Sequence, residues 1–366
     1  MSESMIGQSA ERLFSNNVDK KLLERFEAGQ WPAALWNLTA DSGFGIALAA
    51  EDRGGIGASW SEAYPILRGV GYWQAPLPLA ETMIATLLLS LAGIDLPDGP
   101  VALIEEGTLN RIALREAAGG SRLHGQAQRV AWAGHCRWAL VALAGGRLAV
   151  IDLSDIATAR LTRRSDHAGE PCDTVDLEAA PCLALFDSPL PALALPLRTL
   201  GAIARSAMMV GALERLLEES VRYAGDRVQF GRPIGRNQAI QQSLALLAGD
   251  VCSARVAALV ACADAPSSQN RDCTATEFSA AVAKIRVGEA ATRGTSIAHQ
   301  VHGAIGFTHE HSLQFATRRL WAWREACGSD AWWAQRLGEQ AIAARGAGFW
   351  PAMTTRRFEP SPLPPT

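Results

Sequence analysis

Twelve residues, Arg227 to Gln238, carry the densest set of groups capable of chemistry in this 366-residue chain: Arg-Val-Gln-Phe-Gly-Arg-Pro-Ile-Gly-Arg-Asn-Gln. Arg227, Arg232 and Arg236 stand beside the aromatic Phe230, two glycines, a proline and Gln238. Guanidinium groups form paired hydrogen bonds with phosphate oxygens, and glycine lets a backbone approach a ligand closely. A glutamine amide offers both donor and acceptor to an adenine or ribose edge. The same composition also describes a solvated basic turn between two helices.

A second run, Gln300-Val-His-Gly303-Ala304-Ile-Gly306-Phe307, lies downstream. The first run resembles the Arg-x-x-Phe-Gly-x-x-Ile-x-x-x-Gln signature of the acyl-CoA dehydrogenase family. The second is similar to that family's Gln-x-x-Gly-Gly-x-Gly-Phe, with Ala304 replacing the second glycine of the pair. Either motif alone is weak. Two in this order, on helices of suitable length, identify the chain as resembling that family.

The resemblance implies an α+β fold: a helical domain, a β-barrel-like domain, then a four-helix bundle. It implies an acyl-CoA substrate and FAD between the β-domain and the bundle. A carboxylate takes the α-proton of the thioester while the flavin takes the β-hydride. It also implies a homodimer or homotetramer, or a heterotetramer with a catalytic subunit, and an electron-transfer flavoprotein as acceptor. Carried over residue by residue, Arg227 matches the pyrophosphate-binding Arg, Phe230 the aromatic against the adenosine half, and Gln238 the Gln near adenine. Gln300, Gly303 and Gly306 match the second approach to the same dinucleotide, which a neighbouring subunit shares.

Departures fall at the chemical centre. The position of the family's base, a Glu followed by Gly-Thr, lands on Cys327-Gly328-Ser329. Ser329 keeps a hydroxyl able to bond the flavin, but the carboxylate is missing. The alternative base site on the first bundle helix falls on Gly201. The ring-binding Thr-Glu-Pro-x-Ala-Gly-Ser-Asp-like segment is represented only by Ile104-Glu-Glu-Gly-Thr-Leu-Asn110. Cys327 as base requires a cationic neighbour to ionise near neutral pH, since a free thiol titrates near ~8.5. Arg324 is expected a turn away, on a solvated face, and Asp330 is expected to cap a helix starting near Trp332. His309, Glu310 and His311 read as surface polar residues rather than metal ligands, His302 as a structural histidine, and Trp321, Trp323, Trp332 and Trp333 as core, with the lining of an acyl pocket as the alternative.

Those motifs need a scaffold, and the patterning supplies one. Residues 1–100 read as helical, with Leu22, Leu23 and Phe26 at helical spacing and a Gly-rich break at Glu51–Ser59. Residues 101–196 read as short antiparallel strands separated by glycines. Residues 197–350 read as long helices with one apolar stripe each: Val210, Leu213, Leu217 and Val221, then Ile240, Leu244, Leu247, Val251 and Ala258, then Phe278, Val282 and Ile285. The alanine-rich face Ala254–Ala263 allows close helix approach and is a candidate subunit contact, and residues 351–366 read as a disordered Pro-rich tail.

A net charge of −3 gives no electrostatic case for nucleic acid or a membrane surface. No apolar run reads as an uninterrupted membrane span. No Rossmann fingerprint points to a nicotinamide cofactor. Seven scattered cysteines without Cys-x-x-Cys, among them Cys252 and Cys262 as small buried hydrophobes, predict a reduced, cytoplasmic protein. The expected function is α,β-dehydrogenation of an acyl-CoA, with this chain lending adenosine contacts to a partner that carries the base. A self-sufficient enzyme with a relocated base, a non-catalytic acyl-CoA-binding or structural relative, and a flavin monooxygenase on the same fold are the alternatives.

Overall fold

The computed structural model describes residues 4–105, 110–117, 119–155 and 157–357. Five helices open the chain: α1 (Met5–Asn17), α2 (Lys20–Glu27), α3 (Ala33–Asp41), α4 (Trp60–Trp73) and α5 (Leu79–Ala92). The Gly-rich break is a 3-10 turn at Glu51–Arg53 that ends on left-handed Gly54. Ser59 and Glu62 then form a reciprocal capping box that starts α4.

Eight strands follow in two four-stranded sheets: β1 (Val101–Glu105), β2 (Arg111–Ala117), β3 (Gly120–Ala131), β4 (Trp138–Leu143), β5 (Arg147–Asp152), β6 (Ala159–Thr162), β7 (Cys172–Pro181) and β8 (Ala184–Asp187). The sheet orders are β1-β4-β5-β8 and β2-β3-β7-β6. An all-antiparallel domain was expected, but β1 pairs β4 in parallel, Val101 beside Trp138. The chain passes through the other sheet between them, so both strands run the same way. Alternate residues of both sheets, including Ile104, Leu123, Ala127, Val141 and Val175, close a second core separate from the main one.

The bundle comprises α6 (Pro196–Asp226), α7 (Gln238–Ala263), α8 (Thr276–His302), α9 (Leu313–Glu325), α10 (Asp330–Ala343) and α11 (Arg345–Thr355). Pro196 opens α6 at its first turn, where a missing N–H costs nothing. Two glycines bring α4 and α6 into backbone contact. A Cβ at Gly71 would lie 1.7 Å from the Met208 carbonyl oxygen, and one at Gly211 2.0 Å from that of Arg68. This contact fuses the N-terminal helices and the bundle into one core.

Buried polar pairs fix the β-domain to the bundle. Arg319 Nε on α9 donates to Glu170 Oε1 at 3.0 Å, and Trp323 Nε1 donates to Oε2 at 2.9 Å. Glu105, ending β1, accepts the backbone N–H groups of Leu197 and Arg198 at the start of α6.

Several local expectations are corrected. Val221 is exposed because the stripe of α6 drifts to Leu216, Ser220 and Ala224 as its register changes. Ala254, Ala258 and Ala261 are fully buried inside the chain and give the close helix approach expected of that stretch, while Val256, Leu259 and Val260 on its other side are exposed. Cys262 is buried, but Cys252 is exposed, because it faces away from α8. Helix α11 continues through Pro351 to Thr355, inside the segment expected to be disordered, and residues 358–366 lie outside the described residues. By length and composition α7 is apolar enough to cross a membrane, with a mean hydropathy of 1.8 over its best window. It packs between α6 and α8, and its Asp250 binds Arg286 and Arg293.

Candidate functional site

The sequence-selected residues separate into two groups at opposite ends of the bundle. Gly201 lies near the start of α6 and Arg227 just past its end. At 1.5 Å per residue that is roughly 39 Å along the helix axis.

At the far end, α6 and α8 finish side by side: the rings of Tyr223 and His302 stack with centroids 4.5 Å apart. Helix α7 begins there as well, with Asn237 as its N-cap and Gln238 as its first residue. The connector is a tight hairpin in which Gln229 pairs Arg232 around Phe230 and Gly231, at φ 51° and 79°. A phenylalanine in the left-handed region carries a backbone cost of about 1–2 kcal/mol. No packing inside the chain offsets it, because the Phe230 ring is 102% exposed. Strain and exposure together mark a group held out for something outside the chain.

Arg227, Arg232, Arg236, Gln238 and Gln300 are exposed, and none of the three arginines has a carboxylate partner among the described residues. The second motif ends α8 in a 3-10 turn, Gly303–Phe307. Gly303 has φ 62° and faces open space, so its backbone is accessible. Gly306 is required by packing, since a Cβ there would meet His302 and Leu313 at 3.0 Å. Ala304 is exposed. His302 is buried, its Nδ1 lies 2.8 Å from the Ala298 carbonyl, and burial lowers its pKa, which fits the expected structural role.

At the near end the two candidate base positions touch. A Cβ on Gly201 would lie 2.5 Å from the Cys327 sulfur. Cys327 takes φ 57°, and its carbonyl accepts the Trp333 indole N–H at 3.0 Å. Burial pushes its thiol pKa up, while Arg205 and Lys284 pull it down. The net direction is upward, so the thiol is protonated near neutral pH and has no thiolate to act as base.

Sequence reasoning missed the surroundings. Arg205 is buried and paired with Glu81 from α5, and its Nη1 contacts Met208 Sδ at 3.1 Å. Lys284 is buried on α8 and donates to the Trp323 and Arg324 carbonyls, each at 2.8 Å. It thereby caps the end of α9, and burial lowers its pKa to about 8. Burial raises the pKa of Glu105 against its backbone donors and Arg198. One signal was available: charged residues inside otherwise apolar runs, Ala80-Glu81-Thr82, Ala204-Arg205-Ser206 and Ala283-Lys284-Ile285.

Three neighbouring placements differ from expectation. Arg324 is half-buried and binds Asp330 Oδ2 through Nε and Nη2 at 3.1 and 3.0 Å. The cap of α10 is Ser329, which accepts from Trp332 N at 3.2 Å, one residue before the Asp330 expected to do so. Its hydroxyl proton remains free to donate. Trp321 is exposed rather than core, whereas Trp323 and Trp333 are fully buried. The ring-binding segment is described only at Ile104, Glu105 and Asn110; its centre, residues 106–109, lies outside the described residues.

Comparison with known proteins places this geometry. The family model "Acyl-CoA dehydrogenase, C-terminal domain" matches residues 198–342. The acyl-CoA dehydrogenase IpdE2 of Mycobacterium tuberculosis is 30% identical over 292 residues, 78% of this chain and 80% of that protein. The chain belongs to the acyl-CoA dehydrogenase family. Its fold matches a chain of the ChsE4-ChsE5 complex from M. tuberculosis with a TM-score of 0.79 at 22% identity, covering 92% and 96% of the two chains. Butyryl-CoA dehydrogenase from Megasphaera elsdenii gives 0.80 at 17%, covering 93% and 99%. The helix, sheet and bundle architecture expected from the motifs is therefore the family's.

Proposed function

We propose that this chain is the adenosine-holding, non-abstracting subunit of a heteromeric acyl-CoA dehydrogenase. The observation that carries the reading is the contact between Gly201 and Cys327, which closes the base position from both sides without a carboxylate. The open end fits a dinucleotide. Three exposed guanidinium groups suit pyrophosphate oxygens, the projecting Phe230 ring suits the adenosine half, and Gln238 and Gln300 supply amide edges. The closed end does not fit proton abstraction. Its cations are committed to Glu81 and to helix carbonyls, and its thiol is neutral.

The cofactor so implied is FAD, which when bound accepts the β-hydride of the thioester. This chain's residues bind and orient its adenosine end, and the base comes from the partner. The separation of the two ends favours that division, since the residues that would hold the adenosine end lie far from this chain's own base position. The match to a chain of the ChsE4-ChsE5 complex supports a two-component assembly, and a bulky acyl-CoA thioester is the substrate class we assign. An electron-transfer flavoprotein would then reoxidise the flavin.

A second reading rests on two carboxylates near Cys327. Glu81 Oε2 and Glu105 Oε2 are buried and have no hydrogen-bond partner among the described residues, although Arg198 Nε lies 3.4 Å from Glu105 Oε2. In a self-sufficient enzyme one of them would serve as the relocated base. Both are otherwise engaged, Glu81 by Arg205 and Glu105 by the first turn of α6, so the subunit reading stands ahead.

Purification of the chain alone, followed by its flavin absorbance spectrum and native mass, tests the assignment. The expected result is a colourless or flavin-poor species that gains FAD and turnover only with a co-expressed partner. Flavin bound by the chain alone and bleached anaerobically by an acyl-CoA would establish the self-sufficient enzyme instead.

A further inference from the structure

The outer face of the sheet β2-β3-β7-β6 carries a cleft that none of the foregoing uses. Its cavity measures about 250 Å³ and is lined by Gln126, Gln128, Arg129, Arg164 and Thr174. Every lining side chain can donate a hydrogen bond.

A β-bulge builds it. Strands β3 and β7 pair regularly at Ala127 with Val175 and again at Val130 with Asp173. Between those pairs Gln128 and Arg129 both stand opposite the single residue Thr174. Ala127, Val130, Asp173 and Val175 are buried, so the extra residue emerges on the outer face. Arg129 adopts φ 57° to do so. That conformation is unfavourable for an arginine, and the exposed side chain gains no core packing in return.

Arg164 arrives from the turn after β6, held by its own N–H to Asp173 Oδ1 at 2.9 Å. The other Asp173 oxygen accepts from Gly134 N at 2.8 Å and lies 3.8 Å from Arg163 Nη1, so this carboxylate is engaged by backbone and by a different arginine. Asp166 likewise accepts from Ala168 N and Glu170 N. Asp176 takes the Gln126 amide at 2.6 Å, and Gln126 accepts in turn from Gln128 at 2.9 Å. Neither Arg129 nor Arg164 has a carboxylate partner among the described residues, although Arg129 bears on the Cys172 thiol.

We propose that this cleft is an oxyanion site for a phosphate group, with Arg129 and Arg164 as charged donors and Thr174 and Gln128 as neutral ones. Two guanidinium groups converging on a small cavity match the several acceptor oxygens of a phosphate monoester. The phosphate can come from the ribose 3′-phosphate of coenzyme A or from free phosphate.

Isothermal titration calorimetry on the full chain distinguishes these sources, using inorganic phosphate, coenzyme A and dephospho-coenzyme A. A dissociation constant on the order of 1 mM or tighter is expected for at least one phosphate-bearing probe. Coenzyme A binding at least tenfold tighter than dephospho-coenzyme A identifies the 3′-phosphate as the group bound. Binding of inorganic phosphate with no such preference identifies free phosphate. Arg129→Gly keeps the bulge in a conformation glycine favours while removing the guanidinium, so its melting temperature should be unchanged or higher. Arg129→Gly and Arg164→Gln should each weaken binding tenfold or more, whereas Arg115→Gln, the same loss of charge elsewhere on the sheet, should not. Absence of binding by all three probes, or unchanged affinity in Arg129→Gly and Arg164→Gln, overturns the site.

Discussion

The two ends of the bundle treat charge in opposite ways. At the near end Glu81, Arg205 and Lys284 are buried, and each is engaged inside the chain. At the far end Arg227, Arg232 and Arg236 are exposed and have no carboxylate partner among the described residues, beside a fully exposed phenylalanine. Desolvated ions persist only where partners compensate them, so the near end is committed to holding this chain together. Exposed cations and a strained aromatic turn contribute nothing to that task and are free to serve another molecule. Mutations should therefore divide cleanly: stability effects at one end, ligand effects at the other.

The largest effect is expected at the Glu81–Arg205 pair. Glu81→Gln or Arg205→Met alone strands a buried charge and should lower stability by about 3–5 kcal/mol. The double variant Glu81→Leu/Arg205→Met should cost less than either single change, measured by chemical denaturation. Additive losses would show that the pair is not a coupled unit.

Lys284 gives a pH signature of the same end. Its folded pKa is about 8, against an ordinary value of 10.5. Between those values the unfolded chain holds the extra proton, so stability rises with pH across that window. Below pH 8 the charge is buried in full and its cost is constant. Stability of the native chain relative to Lys284→Met should grow by about 3 kcal/mol from pH 8 to pH 10.5. Comparison with the variant cancels the opposing contribution of buried thiols such as Cys262, whose pKa is pushed to about 12. A flat difference would mean that the lysine titrates normally.

The far end was more legible in sequence than the near end, for a physical reason. Arg227, Phe230, Gln238 and the glycines of Gln300–Phe307 are local features: a turn, a cap, a helix end. Each is shaped mainly by its chain neighbours, and α6 and α8 end side by side, Tyr223 against His302, which brings the two motifs to the same end of the bundle. The helix, sheet and bundle order was equally readable, because it rests on periodicity. The near end is assembled from α5, α6, α8 and the turn after α9, so its contacts depend on tertiary placement. Gly201 and Cys327 were selected as alternatives 126 positions apart, and nothing in their spacing announces that they touch. The parallel pairing of β1 with β4 was missed likewise, since strand patterns do not encode which neighbour a strand meets. Arg324 was expected in solvent because its partner Asp330 lies beyond a turn whose geometry is set by Cys327 and Gly328, both at positive φ.

A smaller effect probes the contact between the two candidate base positions. Gly201→Ala introduces a methyl where only 2.5 Å separates the ideal Cβ from the thiol sulfur. Overpacking of this kind should cost about 1–3 kcal/mol. Cys327→Gly removes the obstructing side chain and suits the left-handed backbone, so Gly201→Ala should become nearly neutral in that background. An unchanged penalty would place the strain elsewhere and reopen the near end as a cavity able to admit an acyl chain.

The smallest stability change, and the sharpest test of the comparison, belongs to Arg227→Ala. The residue is exposed, has no carboxylate partner among the described residues and lies past the last turn of α6, so its loss should alter unfolding free energy by less than about 0.5 kcal/mol. Flavin retention in the assembled enzyme should fall by about tenfold, the effect of one charge-assisted contact to phosphate. The two readouts answer different questions. If stability falls instead, the arginine braces the helix end and the open surface is structural. If both are unchanged, the hairpin is an ordinary solvated turn, and the exposed Phe230 loses its explanation with it. Only lost flavin with an unaltered fold agrees with one end of the bundle built to serve another subunit.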